Sequence, residues 1–201
     1  DMNAAIQTIK AAKEYDINQL QLSHEIIHDL REIKTEKVCA QVNELVNLAH
    51  SEEINEVLLW DHSLYDIDYY PERFRTGPGG TIDLDNTEFW EWLKDDYRQM
   101  LVLTFIETGA YAERQFSKKM KSSEEKLAAV VNAISDVLIG ERKKKLYIRT
   151  FAYSEEEYKG TTGCIEYLKY DEVILMMKET PHDFFLTHPD NYYIQKMDRP
   201  V

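Results

Sequence analysis

The stretch Leu101-Val102-Leu103-Thr104-Phe105-Ile106-Glu107 decides the fold, because it is an apolar run of strand length that leads directly into a carboxylate. Four other short runs have the same character and are also predicted to be strands, at 17–22, 56–60, 146–151 and 173–177. Segments with apolar residues at helical spacing separate them, at 3–14, 36–50, 86–100 and 122–139. Strands that alternate with helices predict a parallel sheet with crossover helices.

Residues that start or stop helices support this order of elements. Asp85 or Asn86 is the expected N-cap of the third helix, and Ser123 is expected to open the fourth. Gly140 follows the fourth helix and is predicted to end it.

The predicted fold class is α/β, with a (β/α) barrel-like parallel sheet and flanking helices in a single domain over 1–201, or in a fragment of one. A closed barrel has eight strands and typically takes about 250 residues, so either the sheet is open or the chain is incomplete, and an incomplete TIM barrel is the expectation. The third helix meets the third strand at Met100 and Leu101 with no turn, although such connections normally take about 2 to 6 residues. This junction also indicates an incomplete chain.

Composition and charge narrow the classes of function. The chain carries 37 acidic residues against 24 basic ones, a net charge of −13, so a nucleic-acid partner is not expected. No apolar run approaches the roughly 18 residues of a membrane span, so no membrane partner is expected either. Cys39 and Cys164 stand alone in the sequence, so no cysteine-based metal site is indicated, and no cofactor is expected. The basic run 142–145 is interpreted as a solvated turn.

Polar residues follow nearly every predicted strand. The residues are Ser23 and His24 after the first strand; Trp60, Asp61 and His62 after the second; Glu107 after the third; Arg149 within the fourth; and Lys178, Glu179, His182 and Asp183 after the fifth. Ligands bind at the carboxyl ends of the strands in parallel α/β folds, so we expect these side chains to converge on one pocket. Charged groups between aromatic walls suit a sugar, and a carbohydrate substrate is therefore predicted.

Aromatic residues crowd the loop after the second strand, where Tyr65, Tyr69, Tyr70 and Phe74 occur close together. Two interpretations fit them equally well. They stack against a sugar ring, or they pack on the core or on another subunit.

The segment His24-Glu25-Ile26-Ile27-His28 matches the H-E-x-x-H pattern of zinc peptidases. On a helix the two imidazoles share one face, and Glu25 lies beside them as a general base. A third ligand is required, for which Glu44 and His50 are available. A zinc metallopeptidase is thus one alternative function, and a simple loop and short helix after the first strand is the other interpretation of this segment.

Three segments carry a resemblance to a known family: Ile106-Glu107-Thr108-Gly109, Ile148-Arg149-Thr150-Phe151 and Lys178-Glu179-Thr180-Pro181-His182-Asp183-Phe184. In this order they resemble the barrel of α-glucuronidases and related glycoside hydrolases, whose strings read roughly S-E-G, W-R-A-F and K-N-G-P-I-D-F. The resemblance runs from about Ile17 to Pro189. It implies an inverting hydrolysis with Glu107 as the general acid, Asp183 as a matching carboxylate, and Arg149 and Lys178 as basic groups of the pocket.

The chain departs from this family at two positions. Leu103 replaces a lysine that helps to bind the glucuronate carboxylate, and Thr187-His188-Pro189 replaces an R-E-P string whose glutamate is taken as the base. The sugar therefore stays open, and Asp183, Asp61 and His188 are all candidates for the base. A carbohydrate-binding protein that has lost catalysis is a further alternative.

Overall fold

The computed structural model describes residues 2–22, 34–61, 64, 67–76, 80–99, 104–107, 122–150, 154–177 and 194. For Trp60, residues 104–107, Thr150 and Glu156 it describes the backbone alone.

Within these ranges the strands form one parallel sheet in chain order, with β1 at Gln19–Leu22, β2 at Glu56–Asp61, β3 at Thr104–Glu107, β4 at Leu146–Thr150 and β5 at Ile174–Met177. Each strand pairs in parallel with the next. The predicted positions of the strands are therefore confirmed, although their ends shift by a few residues. The junction at Met100 and Leu101 lies outside the described residues.

The prediction of a barrel-like sheet, and with it of an incomplete TIM barrel, is wrong. In the described part of the chain the sheet is open, because β1 pairs with β2 alone and β5 with β4 alone. The alternation of helices and strands is the same for an open and a closed parallel sheet. Closure depends on strand tilt and stagger, which a hydrophobic pattern does not encode.

The helices are α1 at Met2–Glu14, α2 at Glu36–Ser51, α3 at Thr87–Arg98, α4 at Ser123–Ser135 and α5 at Glu155–Gly163. Asn86 is the N-cap of α3, as predicted, and its side chain accepts a hydrogen bond from the Glu88 backbone N–H. The cap of α4 is Ser122 rather than Ser123.

Gly140 does not end the fourth helix, so that prediction is wrong. The helix continues beyond Ser135 as a π-helix, Asp136–Glu141, which passes through Gly140. A Cβ atom at Gly140 would lie 2.7 Å from the hydroxyl oxygen of Tyr170. The glycine is therefore needed for a close packing contact and not as a helix stop.

Two of the helix-to-strand turns share a sequence and a geometry. The segments Asp16-Ile17-Asn18 and Glu53-Ile54-Asn55 each lead into a strand, and each begins with a residue at positive φ, 56° and 65°. The isoleucine N–H in each turn bonds back to an alanine carbonyl, of Ala12 at 3.2 Å and of Ala49 at 2.9 Å. These left-handed caps fix where β1 and β2 begin.

The main core lies on one face of the sheet. Alternate strand residues such as Leu22, Leu59 and Ile148 pack there with the buried faces of α1 to α4. The opposite face carries a smaller apolar cluster centred on Leu58 and Tyr147. One face of the sheet is therefore covered by the helices of the main core, and the other carries only the smaller cluster. The candidate site residues are divided between these two faces.

Candidate functional site

The carboxyl edge of the sheet brings three of the predicted residues onto neighbouring strands. Glu107, the last residue of β3, stands opposite Arg149 of β4 in the strand register. Asp61, the last residue of β2, stands opposite Ile106, which precedes Glu107. Neighbouring strands lie about 4.8 Å apart, so the backbones of these three residues are close together.

The other predicted site residues fall elsewhere. Trp60 lies in β2, and only its backbone is described. The remaining ones lie outside the described residues, namely Ser23, His24, Glu25, His28, His62, Lys178, Glu179, His182, Asp183 and His188. Their roles stay predictions.

Asp61 and Arg149 lie on opposite faces of the sheet. Side chains alternate along a strand, so Asp61 shares the face of Leu59 in the main core, whereas Arg149 shares the face of Tyr147. The structure therefore does not place these two charges in one pocket. Arg149 is half-buried, and its face is the one that the helices of the main core do not cover.

The carboxylate of Asp61 is buried and hydrogen-bonded. Its side chain is 1% exposed, and the Tyr97 hydroxyl of α3 donates to its Oδ2 atom over 2.5 Å. Burial, together with the negative charge of Asp61, raises the pKa of Tyr97 well above its ordinary value. The phenol therefore stays protonated and continues to donate this hydrogen bond.

A second buried carboxylate, Asp96, lies one residue earlier in α3. Tyr69 donates to its Oδ2 atom over 2.6 Å, and Lys34 forms an ion pair with its other oxygen. Burial and the charge of Asp96 raise the pKa of Tyr69 well above its ordinary value. We refer to Asp61, Tyr69, Asp96 and Tyr97 together as the Asp–Tyr network.

The sequence contained a signal for Asp96 that the motif-based reasoning missed. The buried positions of α3 are Phe89, Leu93, Asp96 and Tyr97, so the aspartate occupies the core-facing stripe of an amphipathic helix. A charged residue in such a stripe is almost never buried unless it is paired. Its position therefore indicates a buried polar partner.

The aromatic residues of the loop after β2 pack in the core, which confirms that interpretation for those that are described. Tyr69, Tyr70 and Phe74 are at most 5% exposed. Their rings meet Phe89 and Trp92 of α3 at centroid distances between 5.4 and 6.3 Å. These three rings are therefore not open to a sugar, and Tyr65 lies outside the described residues.

A polar cluster occupies the amino-terminal end of the face that carries Arg149. The Gln19 side chain donates to Glu56 over 2.6 Å and to the Tyr147 hydroxyl over 3.2 Å, and Lys145 pairs with Glu56. In a flat sheet β1 and β4 would lie about 14 Å apart. Gln19 and Tyr147 therefore meet through their long side chains, which reach across β2 and β3.

The basic run 142–145 lies between the π-helix and β4, where its three lysines are exposed. The interpretation of this run as a solvated turn is confirmed for the three lysines, whereas Arg142 is half-buried and donates to the backbone carbonyl of Arg98. In the part of the chain that the structure describes, no group of three or more His, Cys, Asp or Glu residues is arranged to hold a metal ion. The H-E-x-x-H segment is not included in that part.

No protein-family model matches this sequence, and no curated protein shows significant similarity to it. Among the helices of the described residues, none combines the length and the apolar character needed to cross a membrane. The site must therefore be interpreted from its own residues.

Proposed function

We propose that this protein is a glycoside hydrolase in which Glu107 is the general acid. The observation that carries the proposal is the pairing of Glu107 with Arg149 at the carboxyl edge of a parallel sheet. In open α/β sheets, ligands bind outside this edge. A carboxyl group and a guanidinium group on adjacent strands offer a proton donor and a cation to one bound ring.

The reaction needs Glu107 to protonate the glycosidic oxygen as the bond to the anomeric carbon breaks. Arg149 holds an acidic or hydroxyl-rich ring through directed N–H donors. An acidic ring also offsets the guanidinium charge, which would otherwise favour the ionised form of a nearby carboxyl.

A second carboxylate must activate water on the other side of the sugar. In inverting enzymes the two carboxyl groups are roughly 6.5 to 9.5 Å apart. The resemblance in sequence leaves this partner role open, because His188 replaces the glutamate that the family uses, and Asp183 is the carboxylate that we propose for it. Asp61 is unsuited to it because its carboxylate is buried on the opposite face from Arg149 and accepts a hydrogen bond from Tyr97.

The test is a comparison of Glu107→Gln with a matched control, Glu14→Gln, which changes an exposed glutamate of α1. Both are assayed on aryl glycosides whose leaving groups differ in pKa. Loss of a general acid should lower turnover by about 10²- to 10⁴-fold for poor leaving groups and by much less for good ones. The control should keep the wild-type rates.

Equal rates for Glu107→Gln and the wild-type protein across this series would refute the assignment. Product analysis by NMR at early times identifies the anomer formed, and an inverted anomer is expected. Binding of glycans without any turnover would instead favour the non-catalytic alternative. Zinc at about one ion per chain, with peptide cleavage that a chelator abolishes, would favour the peptidase.

A further inference from the structure

The Asp–Tyr network joins three parts of the chain that border the carboxyl edge. Tyr97 ties the last turn of α3 to Asp61 at the end of β2. Asp96, in the same turn, holds Tyr69 from the connection between β2 and α3. It also pairs with Lys34 from the connection between β1 and α2. One turn of a helix therefore anchors both connections.

The surroundings of Asp61 suit a residue that holds neighbouring segments in place, rather than a residue that contacts the substrate. At 1% exposure it presents no surface to a sugar or to a reacting water. Nevertheless, it stands beside Ile106 in the strand register, one residue before the proposed acid, Glu107. A change in the position of Asp61 is therefore passed through the β2–β3 pairing to the end of β3.

The network is also built to persist. The two hydroxyls donate to carboxylate oxygens over 2.5 and 2.6 Å, which are the short distances of hydrogen bonds to a charged acceptor. All four members are at most 5% exposed, so water competes little for these bonds. Such a network holds its members in one geometry.

We propose that Asp61 is a positioning residue. It acts through Tyr97 and the rest of the Asp–Tyr network, which together hold the end of β2 and the two neighbouring connections in place around Glu107. This inference rests on the proposed function. It assigns Asp61 neither sugar binding nor the role of the base.

The test uses Asp61→Asn, Tyr97→Phe and the double variant, with Tyr170→Phe as the control. The control also removes a tyrosine hydroxyl that donates to an aspartate, Asp136, but neither residue is a member of the network. Asp61→Asn and Tyr97→Phe should each lower kcat/KM of the folded protein about tenfold. The double variant should lose little more than the single ones, because Tyr97→Phe removes and Asp61→Asn weakens the same hydrogen bond.

Two further measurements separate positioning from other roles. The pH profile of kcat/KM should keep its acidic limb in Asp61→Asn, and added azide should not restore activity. A lost limb, azide rescue and a loss of about a thousandfold confined to Asp61→Asn would identify Asp61 as the base and overturn the proposal. Unchanged kcat/KM in both single variants would show that the network has only a structural role, and this result would overturn the proposal as well.

Hydrogen exchange distinguishes failure of this inference from failure of the proposed function. In Tyr97→Phe, amide exchange should increase at the end of β2, around Asp61, whether or not the protein hydrolyses glycosides. An inactive wild-type protein with this increase would remove the proposed function and leave the anchoring role of the network intact. An active protein with unchanged exchange in Tyr97→Phe would remove the anchoring role alone.

Discussion

Replacing Tyr97 by Phe removes one hydroxyl from the Asp–Tyr network and keeps the aromatic ring. The ring is fully buried, and its hydroxyl donates to a carboxylate that is 1% exposed. A hydrogen bond to a charged group contributes about 1.5 to 3 kcal/mol. We therefore expect Tyr97→Phe to lower the free energy of unfolding by about 2 kcal/mol.

The control is again Tyr170→Phe, which removes a 2.9 Å hydrogen bond to Asp136. Asp136 keeps ion pairs with Lys94 and Lys169 and remains partly exposed to water. Because solvent replaces the lost donor, this change should cost less than about 1 kcal/mol. The difference between the two variants isolates the effect of burial.

Urea unfolding at pH 7, followed by tryptophan fluorescence and far-UV circular dichroism, measures both variants. With a slope of about 2 kcal/mol per molar urea, Tyr97→Phe should shift the midpoint down by about 1 M. A cycle with Asp61→Asn should show a coupling energy of about 1 kcal/mol or more between the two positions. A midpoint for Tyr97→Phe equal to that of Tyr170→Phe would refute the reasoning.

Two further predictions concern stability. Burial raises the pKa of Tyr69, Tyr70 and Tyr97 in the folded protein. The stability that these tyrosines contribute is therefore complete below about pH 10, the pKa of an unfolded tyrosine, and falls as the pH rises above it. For the three together, the free energy of unfolding should fall by up to about 4 kcal/mol per pH unit. Phenolate absorbance should therefore appear together with alkaline unfolding, and three tyrosines that titrate at their ordinary pKa in the folded protein would contradict this. Ser135→Ala should raise the free energy of unfolding by about 1 kcal/mol. The buried Ser135 hydroxyl has no hydrogen-bond partner among the described residues, and alanine also favours the helix. The reverse change at the buried position Ala133, Ala133→Ser, should lower it, and thermal melts of both variants measure the pair.

Local patterns were sufficient for much of the secondary structure. The N-cap at Asn86 follows from side-chain chemistry within a few residues, as does the apolar run that forms β4. Gly140 shows the limit of such patterns. Glycine usually marks the end of a helix, but here it is required by Tyr170, which is 30 residues away in the chain and out of reach of any local rule.

The candidate site divides in the same way. Its residues at the ends of β2, β3 and β4 could be predicted, because parallel strands place their carboxyl ends along one edge. Which face each side chain occupies depends on the register and on what packs there. That is why Asp61 and Arg149 were expected in one pocket and are found on opposite faces of the sheet.

The sequence by itself determined the order of helices and strands and the acidic, polar character of the chain, because hydrophobic period, caps and charge are properties of neighbouring residues. Only the tertiary structure decided that the described strands form an open sheet and that Asp61 and Asp96 are buried with Tyr97 and Tyr69. These hydrogen bonds join residues 36 and 27 positions apart. The apolar stripe of α3 indicates that Asp96 is buried, but it does not identify the partner, because such pairs form only when packing brings two distant residues together and excludes water from both.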